Sequence, residues 1–249
     1  MSPLLTLTGV GKTYKGTAPS LDGVSAAIKQ GSFVSLVGPS GCGKSTLLRI
    51  IAGLIAPSEG EIRWAGDVRP KNLGFVFQDA TLMPWARVFE NVWLPLQLQG
   101  VERREATLRV MSALERVGLA DRAMAFPREL SGGMKMRVSI ARALVTEPPI
   151  LLMDEPFAAL DEFTREKLDD DLLSLWQAHD LTVLFVTHSV YESVYLSQRI
   201  LVMGTGPGRL VDEVQVAAEY PRGSRFRENA AFHAACHQVS ASLRKGVEA

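Results

Sequence analysis

The chain has 249 residues, 47% hydrophobic and 22% charged, enough apolar content for a substantial core in one large or two modest domains. Lys+Arg and Asp+Glu number 27 each, so no overall field draws the chain onto a polyanion, and nucleic acid is not an expected partner. The 2 cysteines, Cys42 and Cys236, give no disulfide framework. The first residues lack a secretory pattern and no apolar run approaches ~18 residues, so the expectation is a reducing compartment and no unaided membrane span.

Residues 4 to 37 read as short strands: Leu5 and Leu7 alternate with Thr6 and Thr8, and Gly31 separates Val24 to Ile28 from Phe33 to Val37. Tyr14, in the loop Gly11-Lys12-Thr13-Tyr14, either packs locally or stacks on a base. The strand Phe33 to Val37 runs into Gly38-Pro39-Ser40-Gly41-Cys42-Gly43-Lys44-Ser45-Thr46 and then into an apolar helix. A strand, a glycine-rich turn and a helix with Lys-Ser in its first turn form a phosphate-binding loop. Its glycines let successive N–H groups face an anion, and the helix N-terminus adds about half a positive charge. Lys44 supplies an ammonium for the β- and γ-phosphates of a nucleotide, and the Ser45 hydroxyl suits Mg²⁺. That helix is expected to carry Leu47, Leu48, Ile51 and Leu54 on one face and to stop at Ala56-Pro57-Ser58-Glu59-Gly60.

Glu61 to Trp64 and Leu73 to Phe77 are the next predicted strands, the second ending at Gln78, whose amide either marks a solvated boundary or reaches Mg²⁺ or a bound water. From Met83 to Thr146 the pattern is helical, an inserted subdomain among strands. In it Glu102 to Gly118 predicts an amphipathic helix with Leu108, Met111, Leu114 and Val117 on one face. The last helix of the block starts at Leu130-Ser131-Gly132-Gly133. Ser131 is a natural N-cap there, and the bare N–H groups of two glycines make a second anion site an open alternative to plain capping.

Ile150-Leu151-Leu152-Met153 reads as a doubly buried parallel strand ending in Asp154 and Glu155, where open α/β sheets bind ligands. Asp154 suits the surroundings of Mg²⁺, and Glu155 suits a base that orients and deprotonates water. Asp161 reads as the N-cap of a helix over Glu162 to Ala178. The strand Thr182 to Val186 leads to His188, at the strand end where a γ-phosphate contact fits. Ile200 to Met203 and Leu210 to Val216 close the strand set through a Gly204 to Gly208 turn. The tail from Tyr220, with a short helical pattern through Phe232, Cys236, Val239 and Leu243, carries no legible chemistry and reads as a small appendage.

Taken together, the phosphate loop, Leu-Ser-Gly-Gly, the strand ending in Asp-Glu and the later strand ending in His closely resemble the ATP-binding subunit of ABC transporters over residues 4 to 216. The resemblance implies an α/β P-loop NTPase core with a mainly parallel sheet, an N-terminal antiparallel β subdomain and an inserted helical subdomain at about 83–146. The ATP-binding domain would occupy 1–219 and a short tail 220–249. It further implies that Gly38 to Thr46 is the Walker A loop, Tyr14 the adenine-stacking residue and Gln78 the Q-loop glutamine. Leu130 to Met134 would be the signature, Asp154 and Glu155 the end of the Walker B strand, Asp161 the D-loop aspartate and His188 the switch histidine. Two copies would then pair head-to-tail around two ATP with Mg²⁺, each nucleotide held by one chain's Walker A loop and the other's Ser131, Gly132 and Gly133. The subunit would sit at the cytoplasmic face of the cell membrane on an integral membrane permease, supplied indirectly by an external solute-binding protein. Met134, Leu82-Met83-Pro84-Trp85 and Pro156 to Asp161 resemble the nitrate, sulfonate and taurine importers, with thiamine-precursor pyrimidine importers similar; Lys135-Met136 and Ser189 depart from the common pattern. Repair ATPases of this class would need a coiled-coil or zinc insertion, and translation-associated members a second cassette; neither is present in the sequence.

Overall fold

The computed structural model describes residues 3–248. Strands β1 (Leu5–Thr13), β2 (Pro19–Ile28) and β4 (Glu59–Trp64) form an antiparallel sheet in the order β2-β1-β4. Between them in the chain come β3 (Phe33–Val37) and α1 (Lys44–Ile51). A second, six-stranded sheet holds β5 (Gly74–Val76), β6 (Leu151–Asp154), β7 (Val183–Thr187), β3, β8 (Arg199–Met203) and β9 (Leu210–Gln215) in that spatial order, parallel except for the β8-β9 pair. Helices α2 (Val88–Leu98), α3 (Arg103–Arg116) and α4 (Gly132–Leu144) lie between β5 and β6 in the chain; α5 (Glu162–His179) and α6 (Val190–Leu196) flank β7. After β9 come α7 (Ser224–Arg227) and α8 (Ala230–Glu248).

The central strands are all-apolar because the sheet is covered on both faces, and the pleat divides their residues by alternation. Val34 and Leu36, Leu152, Leu184 and Val186, and Leu201 and Met203 pack in one core with α1 and the antiparallel sheet. Phe33 and Val37, Leu151 and Met153, Val183 and Phe185, and Ile200 and Val202 pack in the other with the helices. Each such side chain contributes about 1.5–3 kcal/mol by burial. The order β6-β7-β3 also places the carboxyl ends of three strands side by side, and the residues that follow them are Glu155, His188 and Gly38.

Four expectations change. Helix α1 stops at Ile51 rather than near Ala56, because Gly53 takes φ +70°, and Leu54 is left 58% exposed. In α3 the buried stripe is Ala106, Val110, Ala113 and Leu114, so Leu108 faces solvent and the alanines take the place expected for it against α2 and α4. β5 is shorter than predicted, so Gln78 lies two residues beyond the strand in an exposed bend. The helical pattern expected as short in the tail is a 19-residue helix that buries Phe232, Cys236 and Val239 against the main core.

Candidate active site

The turn after β3 is shaped by close packing. A Cβ on Gly38 would lie 2.7 Å from Cys42 Sγ and 2.9 Å from the Met203 carbonyl oxygen, and Gly43, the N-cap of α1, has φ +95° with Leu21 in the place of a side chain. No side chain caps α1, so its first N–H groups face the inside of the loop. Lys44 is buried, and its Nζ donates to the carbonyl oxygens of Gly38 (2.9 Å) and Pro39 (3.0 Å) while standing 3.5 Å from Glu155 Oε1. An ammonium held out of water needs such partners. Next to it, Ser45 Oγ donates to Asp154 Oδ1 at 2.8 Å. Burial pushes the Asp154 carboxyl above the ordinary range, against the opposing Ser45 hydrogen bond.

Glu155 is the hinge of the group. Its φ of +46° is rare for a residue with a side chain and costs on the order of 1–3 kcal/mol, and its N–H donates to the Val186 carbonyl at 2.9 Å. One carboxylate oxygen thereby meets Lys44 and the other lies 3.0 Å from His188 Nδ1. Lys44, Ser45, Asp154, Glu155 and His188 are thus one contact group drawn from three strand ends.

Ser131, Gly132, Gly133 and Asp161 gather elsewhere. Ser131 caps α4, accepting from Met134 N at 3.3 Å, and Asp161 caps α5, accepting from Thr164 N (3.0 Å) and Thr164 Oγ1 (2.7 Å). Those Thr164 hydrogen bonds hold the Asp161 carboxyl below the usual range. The two helix starts touch: a Cβ on Gly133 would lie 2.7 Å from Thr164 Cγ2, and one on Gly132 3.2 Å from Leu160 Cδ2. Among the described residues no hydrogen bond or ion pair joins this patch to the contact group of Lys44, Ser45, Asp154, Glu155 and His188. Tyr14 stands apart as well, 43% exposed, with Lys12 Nζ 5.2 Å from its ring centroid; Gln78 is exposed beyond β5.

Three contributors were not legible in the sequence. Arg165 donates to the carbonyls of Phe157 (3.3 Å) and Leu160 (2.9 Å), bracing the loop between Glu155 and Asp161; its position four residues into a helix after Asp161 was the available signal. Gly208 backs the phosphate loop so closely that a Cβ would lie 2.0 Å from the Cys42 carbonyl oxygen, although its glycines signal only a turn. The buried Thr187 accepts from Ser189 N at 2.9 Å and turns the chain just after His188.

The family model described as ABC transporter matches residues 21–158, more than half of the chain. The chain belongs to the ABC transporter family. It is an ATP-binding subunit of that family and an ATPase. The taurine import ATP-binding protein TauB of Rhizobium johnstonii is 49% identical over 201 residues, 80% of this chain and 77% of that one. The aliphatic sulfonates import ATP-binding protein SsuB of Bacillus cereus is 44% identical over 210 residues, 83% and 82% of the two chains. Among solved structures, a dimeric bacterial ABC transporter cassette has a TM-score of 0.74 at 36% identity, covering 86% of this chain and 100% of that one. The same cassette is also known in a post-hydrolysis dimer bound to ADP and Pi.

These relatives place this ABC subunit in the importer branch that its Leu82 to Trp85 and Pro156 to Asp161 stretches resemble. Among the described residues no helix is long and apolar enough to cross a membrane.

Proposed function

We propose that two copies of this chain pair head-to-tail around two Mg-ATP, and that closure and reopening of the pair drive a separate integral membrane permease that imports a small sulfonate-class anion. The substrate class follows the names of the taurine and aliphatic sulfonate relatives. The subunit lies peripherally at the cytoplasmic face, and an external solute-binding protein supplies the permease.

One observation carries the dimer. The group of Lys44, Ser45, Asp154, Glu155 and His188 is internally connected, while the second helix start lies apart from it, with Ser131 and Gly132 exposed and Gly133 buried against Thr164, a donor array with no phosphate site of its own. A symmetric pair that sets each array against the partner's phosphate loop uses both.

The donor set fits Mg²⁺, since Ser45 and Asp154 offer hard oxygens at one place, and Asp154 is a buried carboxylate whose charge a cation would offset. Ser45 and Asp154 would hold the ion, with Gln78 reaching it from the exposed bend; a bound Mg²⁺ neutralises charge on the β- and γ-phosphates. The chain's own groups do the rest. Lys44 turns from the Gly38 and Pro39 carbonyls to the phosphates, and the loop N–H groups with Ser40, Cys42 and Thr46 enclose them. Glu155 orients the attacking water and accepts its proton, and His188, already on the other carboxylate oxygen, holds that carboxylate and contacts the γ-phosphate. Asp161 meets the partner across the interface.

Light scattering of purified Glu155→Gln with and without Mg-ATP tests this reading. The expected result is an ATP-dependent monomer-to-dimer shift, with hydrolysis reduced by about 10²–10⁴-fold and ATP still bound. Wild-type turnover in that variant refutes the base assignment. Bound ATP with no dimer, both alone and with the co-expressed permease, refutes the pairing.

A further inference from the structure

Two parts of the site are mounted on helices that the C-terminal segment holds. α6 has 7 residues and starts with its N-cap Ser189 directly after His188. At its far end the buried Arg222 guanidinium donates to the carbonyl oxygens of Val194, Tyr195 and Ser197, each at 2.9 Å, supplying partners that a helix end lacks. Arg227 lies over the Tyr195 ring, 3.5 Å from its centroid, and its guanidinium stands 3.2 Å from Asp170 and 3.5 Å from Asp169 on α5. It therefore ties α6 to α5, the helix that Asp161 caps.

The same segment reaches the other side of the nucleotide loop. Near the end of α8, the Gly246 carbonyl accepts from Thr205 N at 3.2 Å, and a Cβ on Gly246 would lie 3.1 Å from Gly204 Cα and 3.0 Å from Val211 Cγ2. The turn touched there is the one whose Gly208 packs against the Cys42 carbonyl and whose preceding residue, Met203, packs against Gly38. One continuous stretch thus touches the mount of His188 at one end and the backing of the phosphate loop at the other.

We propose that Tyr220–Gly246 is a positioning element of the ATPase site with two separable ends: Arg227 sets α6 and with it His188, and Gly246 sets the Gly204–Gly208 turn and with it the phosphate loop. The proposal rests on the assignment of His188 and the phosphate loop to hydrolysis and binding made above. A displaced catalytic group slows turnover without loosening a ligand held elsewhere, whereas a displaced binding loop does the reverse.

The test uses the full-length chain. Arg227→Ala should lower kcat about tenfold with KM for ATP within about twofold, and Arg227→Lys should recover part of the loss. Gly246→Val should raise KM about fivefold with kcat largely kept. In the absence of nucleotide, hydrogen exchange should speed up over Val190–Leu196 in Arg227→Ala and over Gly38–Thr46 in Gly246→Val, each leaving the other segment unchanged. In a His188→Ala background, Arg227→Ala should cost no further kcat. Equal changes of kcat and KM in both variants, uniform acceleration of exchange, or a full additional loss in the His188→Ala background overturns the proposal. If His188→Ala itself turns over normally, the His188 assignment fails, and exchange over α6 still decides whether Arg227 holds that helix.

Discussion

The Lys44 group at the start of α1 and the Ser131 patch at the start of α4 are built from the same device, a helix start rich in glycine, and differ in what surrounds it. At α1 the helix start is enclosed: Lys44 is 4% exposed, Gly38, Gly43 and Gly208 leave no room for a side chain, and Asp154, Glu155 and His188 close the far side. At α4 the start is open, with Ser131 and Gly132 exposed and the Leu160 to Thr164 stretch behind them. The difference teaches that an anion site needs donors and also a wall. One helix start has its wall in this chain, and under the proposed pairing the other would acquire it from a partner.

The largest effect should come from breaking the enclosed half. Lys44→Ala removes the buried ammonium proposed to turn to the nucleotide phosphates, and losing one partner of a buried, hydrogen-bonded charge pair across a binding interface costs about 2–5 kcal/mol. Binding of a fluorescent ATP analogue should weaken by at least about 30-fold, and unchanged affinity would remove Lys44 from the phosphate site.

Breaking the open half should be as damaging to turnover and yet be rescued in a way the enclosed half cannot explain alone. Ser131→Arg places a bulky cation at the exposed cap while leaving the phosphate group untouched, so the variant should bind ATP and hydrolyse it poorly. Mixing inactive Lys44→Ala with inactive Ser131→Arg should restore up to about a quarter of wild-type hydrolysis, because a mixed dimer holds one intact pair of halves. No recovery on mixing, with both variants soluble and folded, would mean that each site is completed within one chain.

Local signals made most of this legible. Phe33 to Val37, Ile150 to Met153 and Thr182 to Val186 announced the parallel core, because doubly buried strands must be apolar throughout, and the residues after them announced the chemistry. What stayed hidden depended on contacts between segments far apart in the chain. Leu108 fits a helical period as well as Ala106 and Ala113 do, and only the close approach of neighbouring helices decides that the small residues face inward. Arg222 and Arg227 look like surface charges until Tyr195 and the α6 carbonyls are placed beside them. Likewise the lengths of α1 and β5 turned on Gly53 and on pairing with β6, neither of which a periodic pattern encodes.

Tyr14 belongs to neither half and sharpens the comparison at smaller scale. The residue is 43% exposed, has Lys12 beside its ring and belongs to neither core, so removing it should leave the fold intact. If it stacks on the base, Tyr14→Ala should weaken ATP binding by about 1–3 kcal/mol while leaving inorganic triphosphate binding unchanged. An equal loss for both ligands would assign Tyr14 to the loop's shape instead.

The smallest expected effect concerns two buried acids, Asp169 and Glu192, for which burial outweighs the cations near them. Asp169 is buried on α5 with Oδ1 lacking any hydrogen-bond partner among the described residues, and Glu192 is buried on α6. Burial, with the neighbouring acids adding to it, pushes Asp169 up to about 9, and burial pushes Glu192 up to about 7. Arg227 and Arg165 oppose the shift at Asp169, and Thr187, Arg165 and His188 oppose it at Glu192; Asp170 adds to the first and Glu155 to the second. The native chain therefore keeps protons that the unfolded chain releases above its ordinary carboxylate range, so stability should fall as pH rises from about 5 toward 9. Thermal unfolding of the wild-type chain should occur at a lower temperature at about pH 8.5 than at about pH 6, each kcal/mol lost lowering the midpoint by about 2–4 °C in a chain of this size. Asp169→Asn cannot ionise and keeps the side chain's shape, so it should flatten that slope while changing ATP affinity little. A wild-type slope that survives in Asp169→Asn would place the titration elsewhere, and a flat wild-type profile over this range would mean that Arg165 and Arg227 already hold Asp169 charged.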